Sequence, residues 1–302
     1  MPSAPLTKSI SLKSASALIK LILGVYKAKK MLSEFGADVV LGTGGYTSAA
    51  VVIAQTLRKK KTVIHEQNAV PGKTNLWLSK YVDKVCISFK ESERYFPKEK
   101  TILTGMPIRE EFIRLQSKKE ARLKYGLKPD VFTILIIGGS QGAAKLNQIA
   151  LEMWQKMDNK DIQIIHQVGK RNYDSSIVML KINKESYTMK PYLDVPLALA
   201  ASDLVICRSG ASSLAEVLAA GLPSILVPFP YAYADHQKKN AEIVAASGAA
   251  VLIDESNLTA DLLTKTVIDF KNDSNKLEEF STAAKIIAVL DASERVAKIL
   301  LD

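Results

Sequence analysis

Arg208-Ser209-Gly210-Ala211 is a small-residue turn between an apolar strand, Leu204 to Cys207, and a helix that carries Glu216 in its second turn. Gly221-Leu222-Pro223 supplies that helix's stop signal. A second apolar strand, Ser224 to Val227, then leads to the polar cluster Asp235-His236-Gln237. A helix N-terminus just past such a turn is an anion site, because its unpaired N–H groups and its dipole face outward. A carboxylate one turn further in accepts hydrogen bonds from sugar hydroxyls. The set suits a nucleotide diphosphate with its ribose. Ser213-Leu214-Ala215-Glu216 equally fits a capping box, in which Glu216 satisfies backbone donors at the helix start. These residues alone leave both readings open.

The elements that must hold these groups alternate as apolar strands and amphipathic helices, the pattern of a parallel α/β fold. Strands are predicted at Asp38–Gly42, Thr62–His65, Lys84–Ser88 and Lys100–Thr104. A second series follows at Thr133–Ile137, Gln163–Gln167, Leu204–Cys207, Ser224–Val227 and Ala250–Ile253. Several are near-continuous apolar runs, as strands covered on both faces require. The charged segment Glu110–Lys128 reads as the connection between two halves, and Leu258–Asp302 as two or three helices. A strand, a Gly-rich loop and a helix recur in VVLGTGGYTSAAVVIA (39–54), ILIIGGSQGAAKLNQ (134–148) and VICRSGASSLAEV (205–217). One such loop is weak evidence, since tight strand–helix turns need glycine anyway; one at the start of each half is more specific.

Composition narrows the partners. The 302 residues allow about two domains, and 47% hydrophobic with 24% charged residues is an ordinary globular balance. Cys86 and Cys207 lie in apolar runs and read as buried thiols. His65, His166 and His236 lack the grouping of a zinc site, so no metal is expected. A formal charge of +10 implies an anionic partner. Nucleic acid is disfavoured, because no reader module and no basic stripe interleaved with aromatics is present. No apolar run is long enough to span a bilayer. From Ser16 to Leu32 the chain reads as a basic amphipathic helix with Leu18, Leu21, Ile22, Val25, Ala28 and Leu32 on one face. That face either packs on a core or docks on an anionic membrane surface.

HEQN followed by PGKTN, then LTGMPIREEF, GGSQGA, the SGA…E…AAGLP run and DHQKKNA resemble, in this order, the MurG family of bacterial peptidoglycan glycosyltransferases (glycosyltransferase family 28). The matching blocks span roughly residues 14 to 255. The resemblance implies a GT-B fold: two Rossmann-like α/β domains with parallel sheets facing a cleft, working without metal or other cofactor. It implies an acceptor domain at 1–115, a UDP-sugar domain at 116–280, and a last helix within 281–302 that returns to the first domain. It also implies an N-terminally truncated first domain, since family members open with a further strand and a GTGGH-type loop whose histidine is the usual candidate base.

The implied activity is inverting transfer of N-acetylglucosamine from UDP-N-acetylglucosamine to the muramoyl 4-hydroxyl of an undecaprenyl-diphosphate-linked muramoyl-pentapeptide, at the cytoplasmic face of the inner membrane. Ser140 and Arg109 would meet the diphosphate, and Leu193 the uracil through its backbone. Ala211, Ser212, Ser213, Leu214 and Ala215 would form the phosphate-facing helix start, with Glu216 on the ribose and Gln237, with His236 beside it, on the sugar. Asn68 would contact substrate, with Gly44, Gly45 and Tyr46 on the acceptor side and His65 or Glu66 as base. Two other outcomes stay open: a related synthase using a diacylglycerol acceptor, and a fragment that binds UDP-N-acetylglucosamine without transfer.

Overall fold

The computed structural model describes residues 12–139, 142–157, 161–179 and 186–302. It divides into two compact units, Met1–Pro107 with Asp291–Asp302, and Ile108–Leu290.

The first unit is built on a four-stranded parallel sheet in the order β1 (Val39–Gly42), β2 (Lys61–Glu66), β3 (Lys84–Ile87), β4 (Thr101–Leu103). Helix α1 (Leu12–Phe35) lies against α2 (Gly45–Leu57), and the short α3 (Lys73–Leu78) follows β2. Val52, Ile64, Leu78 and Val85 are fully buried and form the centre of this core. The last helix, α12 (Ala292–Leu301), places Val296 against Val63 and Cys86.

Helix α1 has two apolar faces. Leu21, Val25, Ala28 and Leu32 turn inward, whereas Ile22, expected on the same face, is 59% exposed. Ile19, Leu23 and Tyr26 join it outside. Leu18 lies where the side chains fall outside the described residues.

The second unit holds a six-stranded parallel sheet. Its strands are β5 (Phe132–Ile137), β6 (Ile162–Gln167), β7 (Tyr187–Lys190), β8 (Leu204–Cys207), β9 (Ser224–Leu226) and β10 (Ala250–Leu252), in the order β10-β9-β8-β5-β6-β7. From the β7 edge this is 3-2-1-4-5-6, the doubly wound order in which the chain reverses direction between β5 and β8. The two Gly-rich turns of this unit leave the sheet at those two adjacent strands. Ile134, Ile136, Leu204, Ile206 and Ile225 are wholly buried, as the continuous apolar runs require. Strand β7 was not expected: YTMK is short, lies at the sheet edge and buries only Tyr187.

The charged segment read as a connection docks firmly on this unit. Its helix α4 (Lys118–Lys124) is capped by Ser117. Arg122, with a side chain only 5% exposed, donates to the Ala201 and Pro129 carbonyls and pairs with Asp203. Three further helices run as α10 (Ala260–Asn272), α11 (Ser274–Ile287) and then α12. Both thiols are buried, which pushes Cys86 up to about 11 and Cys207 up to about 12.

Candidate functional site

Helix α8 (Ala211–Ala219) starts directly after β8 and the Arg208-Ser209-Gly210 turn. Gly210 is its N-cap in extended conformation, and no side chain caps the helix. This overturns the capping-box reading. Ser213 sits inside the first turn and Glu216 in the second, too far along to serve the first donors. The N–H groups of Ala211, Ser212 and Ser213 therefore face out of the fold without a side-chain acceptor, the arrangement an anion uses.

The turn is pinned from behind by helix α9 (His236–Ala246). Ser209 Oγ donates to the Gln237 carbonyl at 2.7 Å, and Asn240 Nδ2 to the Ser209 carbonyl at 3.2 Å, with Ser209 and Asn240 both fully buried. Gln237 Oε1 accepts the Phe229 N–H at 3.0 Å, which turns the Gln237 NH2 group away from that backbone. His236 Nδ1–H donates to the Tyr233 carbonyl at 2.7 Å, so Nε2 carries the lone pair in the neutral ring.

Glu216 lines a cavity of about 290 Å3 together with Gln167, Leu193 and Ser213. Leu214 is buried beneath and Ala215 half-buried. Burial pushes the Glu216 carboxyl up to about 7, offset in part by the positive charge of Arg109. Arg109 itself is exposed, in an ion pair with Glu111 at 3.0 Å and over the Phe112 ring. It lines a second cavity of about 600 Å3 that shares Leu193 and Val195 with the first. The residues predicted from sequence for a UDP-sugar thus gather at the β5/β8 reversal point. Ser140 lies outside the described residues. Its loop still shows why glycine is needed: at Gly142, φ +76°, a Cβ would come within 2.4 Å of the Val168 carbonyl.

Behind this loop lies a polar cluster that sequence reasoning missed. Helix α5 (Ala144–Lys156) carries Asn147, whose Nδ2 donates to the Val168 carbonyl while its Oδ1 meets His166 Nε2 at 3.1 Å. His166 Nδ1 is 2.7 Å from the Tyr187 hydroxyl. Full burial pushes His166 down to about 3, so the ring is neutral and fastens α5 to β6 and β7. Arg208, read as a member of a small-residue turn, is also a structural clamp. It binds the Val227 and Pro228 carbonyls and the Glu255 carboxylate.

In the first unit His65 closes β2, 3% exposed, with Nε2–H donating to the Gly105 carbonyl at 2.9 Å. Nδ1 therefore keeps its lone pair, opposed only by the Gln67 amide at 3.4 Å. Burial holds this imidazole below its usual range, with the Gly105 hydrogen bond and the Glu66 charge acting the other way. Glu66 is the frame of the next loop. Its carboxylate accepts from the N–H and Nδ2 of Asn68, from the Gly72 N–H at 3.1 Å and from Asn75 Nδ2 at 2.8 Å.

Helix α2 starts beside this loop at Gly45, with Gly44 (φ 92°) as N-cap, no side-chain cap, and Tyr46 48% exposed. Asn75 was not singled out from sequence. It is 2% exposed, faces Gly44, and its Oδ1 has no partner among the described residues. Among those residues no cluster of His, Cys, Asp and Glu has the grouping of a metal site.

Comparison with known proteins now bears on this geometry. Residues 133–296 match the glycosyltransferase family 28 C-terminal domain, and residues 2–87 the family 28 N-terminal domain. The chain belongs to glycosyltransferase family 28. The match runs wider than the sequence blocks quoted above, and it places the donor-type cavity in the family's C-terminal domain.

The UDP-N-acetylglucosamine–N-acetylmuramyl-(pentapeptide) pyrophosphoryl-undecaprenol N-acetylglucosamine transferase of Acetivibrio thermocellus is 38% identical over 299 residues, 98% of this chain and 81% of that one. The transferase of the same name from Halothermothrix orenii is 40% identical over 93% of this chain and 79% of its own. The crystal structure of Acinetobacter baumannii MurG superposes with a TM-score of 0.76 at 29% identity, over 94% of this chain and 79% of that one. A UDP-GlcNAc 2-epimerase from Neisseria meningitidis, at 14% identity and a TM-score of 0.69, shares the fold alone. The two parallel sheets are those of the GT-B fold.

Proposed function

We infer that the chain transfers N-acetylglucosamine from UDP-N-acetylglucosamine to the 4-hydroxyl of undecaprenyl-diphosphate-linked N-acetylmuramyl-pentapeptide, the step that completes the lipid-linked disaccharide of peptidoglycan. The observation that carries this reading is the identity to transferases of that name over nearly the whole chain. In the reaction the bond between the anomeric carbon and the UDP oxygen breaks as the 4-hydroxyl oxygen attacks from the opposite face. The hydroxyl proton passes to a base, and UDP leaves with the bonding pair.

The donor is assigned to the second unit. Glu216 accepts from the ribose hydroxyls, the bare N-terminus of α8 and Arg109 stabilise the diphosphate, and Gln237 meets the sugar through its NH2 group. Preorganised N–H groups and a guanidinium stabilise charge on the leaving diphosphate because they need no reorientation as it develops. The acceptor is assigned to the first unit, at Gly44-Gly45-Tyr46 and Asn68. There the unpartnered Asn75 Oδ1 and the uncapped start of α2 offer an acceptor and donors to a polar headgroup. Of the two base candidates, Glu66 has both oxygens occupied, whereas His65 Nδ1 keeps a lone pair and burial keeps it unprotonated near neutral pH.

Among the described residues no helix is long and apolar enough to cross a membrane. The outer face of α1, with Ile19, Ile22, Leu23 and Tyr26 exposed among Lys20, Lys27, Lys29 and Lys30, is assigned to the anionic cytoplasmic surface of the inner membrane. This face would bring the enzyme to an acceptor whose isoprenoid stays in the bilayer. Nucleic acid has no part in this reading. Ile22→Asp with Tyr26→Asp is expected to weaken binding to vesicles rich in anionic lipid by at least ~10-fold while leaving UDP binding unchanged. Retained vesicle binding would remove this face from the membrane.

The function itself is tested by calorimetry of UDP-N-acetylglucosamine against UDP-glucose, paired with transfer to a lipid-linked muramoyl acceptor. Preference for the first sugar together with transfer is the expected result. Binding without transfer would leave a donor-binding protein, and transfer to diacylglycerol instead would reassign the acceptor. Absence of binding would overturn the donor site.

A further inference from the structure

Gln167 is the last residue of β6, 6% exposed, on the wall of the cavity that Glu216 and Leu193 share. Its Oε1 accepts the Leu193 backbone N–H at 2.9 Å. A backbone N–H can only donate, so the amide orientation is fixed: oxygen toward Leu193, NH2 away from it. That NH2 group has no acceptor among the described residues, although the side chain is more than nine-tenths buried. The Leu193 carbonyl likewise has no donor among them. Buried polar groups are almost always paired within the fold, and a lone donor and a lone acceptor on one cavity wall are spare hydrogen-bonding capacity for something that enters.

We propose that Gln167 is a specificity-determining residue for the base of the nucleotide donor, its NH2 group and the Leu193 carbonyl together reading a ring edge on which a carbonyl oxygen stands beside an N–H. Uracil has that edge. Cytosine presents the reverse, an amino donor beside an unprotonated ring nitrogen, and would set donor against donor and acceptor against acceptor. A site built to hydrogen-bond one pattern rejects the other strongly, because its own buried groups are then left unpaired. Guanine repeats uracil's pattern on a larger ring, so the two pyrimidines isolate the edge from size. Gln167 has a second task in the same contact, since its oxygen holds the 193 peptide in the orientation that offers the carbonyl. The inference rests on the donor site proposed above and adds to it the residue that selects the base.

The test is calorimetric binding of UDP and of CDP to the full chain, as wild type and as Gln167→Glu. The carboxylate keeps the acceptor for Leu193 N–H and replaces the NH2 donor by an oxygen. Wild type should prefer UDP by at least ~10-fold. In Gln167→Glu at pH 8 that preference should collapse by ~10- to 100-fold, and it should recover toward pH 5.5, where a protonated carboxyl again donates. A merely structural Gln167 would weaken both ligands equally with no recovery at low pH, which would overturn the proposal. The wild-type ratio is decisive even if the variant does not fold, because equal affinity for UDP and CDP sinks the edge reading alone. Wild type that binds neither nucleotide would sink the donor site as well.

Discussion

Glu216→Gln is expected to weaken UDP-N-acetylglucosamine binding by about 1.5–3 kcal/mol at pH 8 while making the folded protein more stable there. The two effects have one cause. The Glu216 carboxyl is partly buried, and burial pushes it up to about 7 from an ordinary 4.5. A carboxyl whose folded value is raised contributes stability that is fully present below the unfolded value, and this is lost as pH rises through the folded one. At pH 8 the wild type therefore carries an ionised group in a poor place. Full burial would make this displacement worth about 3 kcal/mol, and solvent at a partly exposed group reduces it to about 1–2 kcal/mol.

Glutamine has the same shape without the charge, so thermal melting of the variant should exceed wild type above pH 7 and converge with it near pH 4.5. Binding runs the other way. The ribose hydroxyls gain most from an ionised acceptor, so wild-type affinity should rise between pH 6 and 8, and the glutamine variant should show a flat profile. The diphosphate of the sugar nucleotide has no group titrating in that interval, which keeps the comparison clean. A variant with unchanged affinity and unchanged pH dependence would remove Glu216 from the ribose.

What could be read from the sequence follows the physics of each element. FTILII and LVIC announce themselves because strands covered on both faces leave no polar alternation to confuse the pattern. Tyr187–Lys190 escapes the same reading, since an edge strand of four residues with one inward side chain carries almost no periodicity. Ser213 to Glu216 misleads for a different reason. The spacing matches a capping box, yet the helix start is fixed upstream by the strand-end turn and by Gly210, which a spacing rule cannot see. On α1, Ile22 was placed on the packed face, but the face that packs is set by where α2 lies, a tertiary fact.

The site was legible in its loops and far less so in their supports. Glycines and the helix start declare an anion site locally. Gln167, Asn75 and the His166 cluster act through partners from 9 to 26 residues away, and no local rule joins them. The joint assignment of Arg109, Leu193 and Glu216 to one ligand came from family resemblance, not from spacing.

Glu255→Ala is expected to destabilise the second unit by about 3–5 kcal/mol, the largest loss among single changes near the donor cavity. Its partner Arg208 lies 47 residues earlier, and the two side chains are 11% and 13% exposed. Removing the carboxylate leaves a guanidinium held in place by the Val227 and Pro228 carbonyls, each at 3.0 Å, and by the Phe229 ring at 5.6 Å. Those contacts are too few to replace the charge partner in a poorly solvated position. The pair as a whole is another matter, because both ions paid to leave water and their attraction roughly repays it. Arg208→Met combined with Glu255→Ala should therefore recover much of the loss, and a double-mutant cycle by denaturant unfolding should give a coupling of about 1.5–3 kcal/mol. Additive losses would mean that solvent screens the pair and that Arg208 is held mainly by its carbonyls.

The same cycle separates stability from binding. Arg208 opens the turn that presents the N-terminus of α8, and Ser209, the next residue, is locked to Gln237. An unpaired guanidinium that swings out toward water would drag this turn with it. UDP affinity should thus fall in Glu255→Ala, at temperatures where the variant is still folded, and return in the double variant. If affinity stays low in the double variant although stability returns, the guanidinium itself contributes to the diphosphate site.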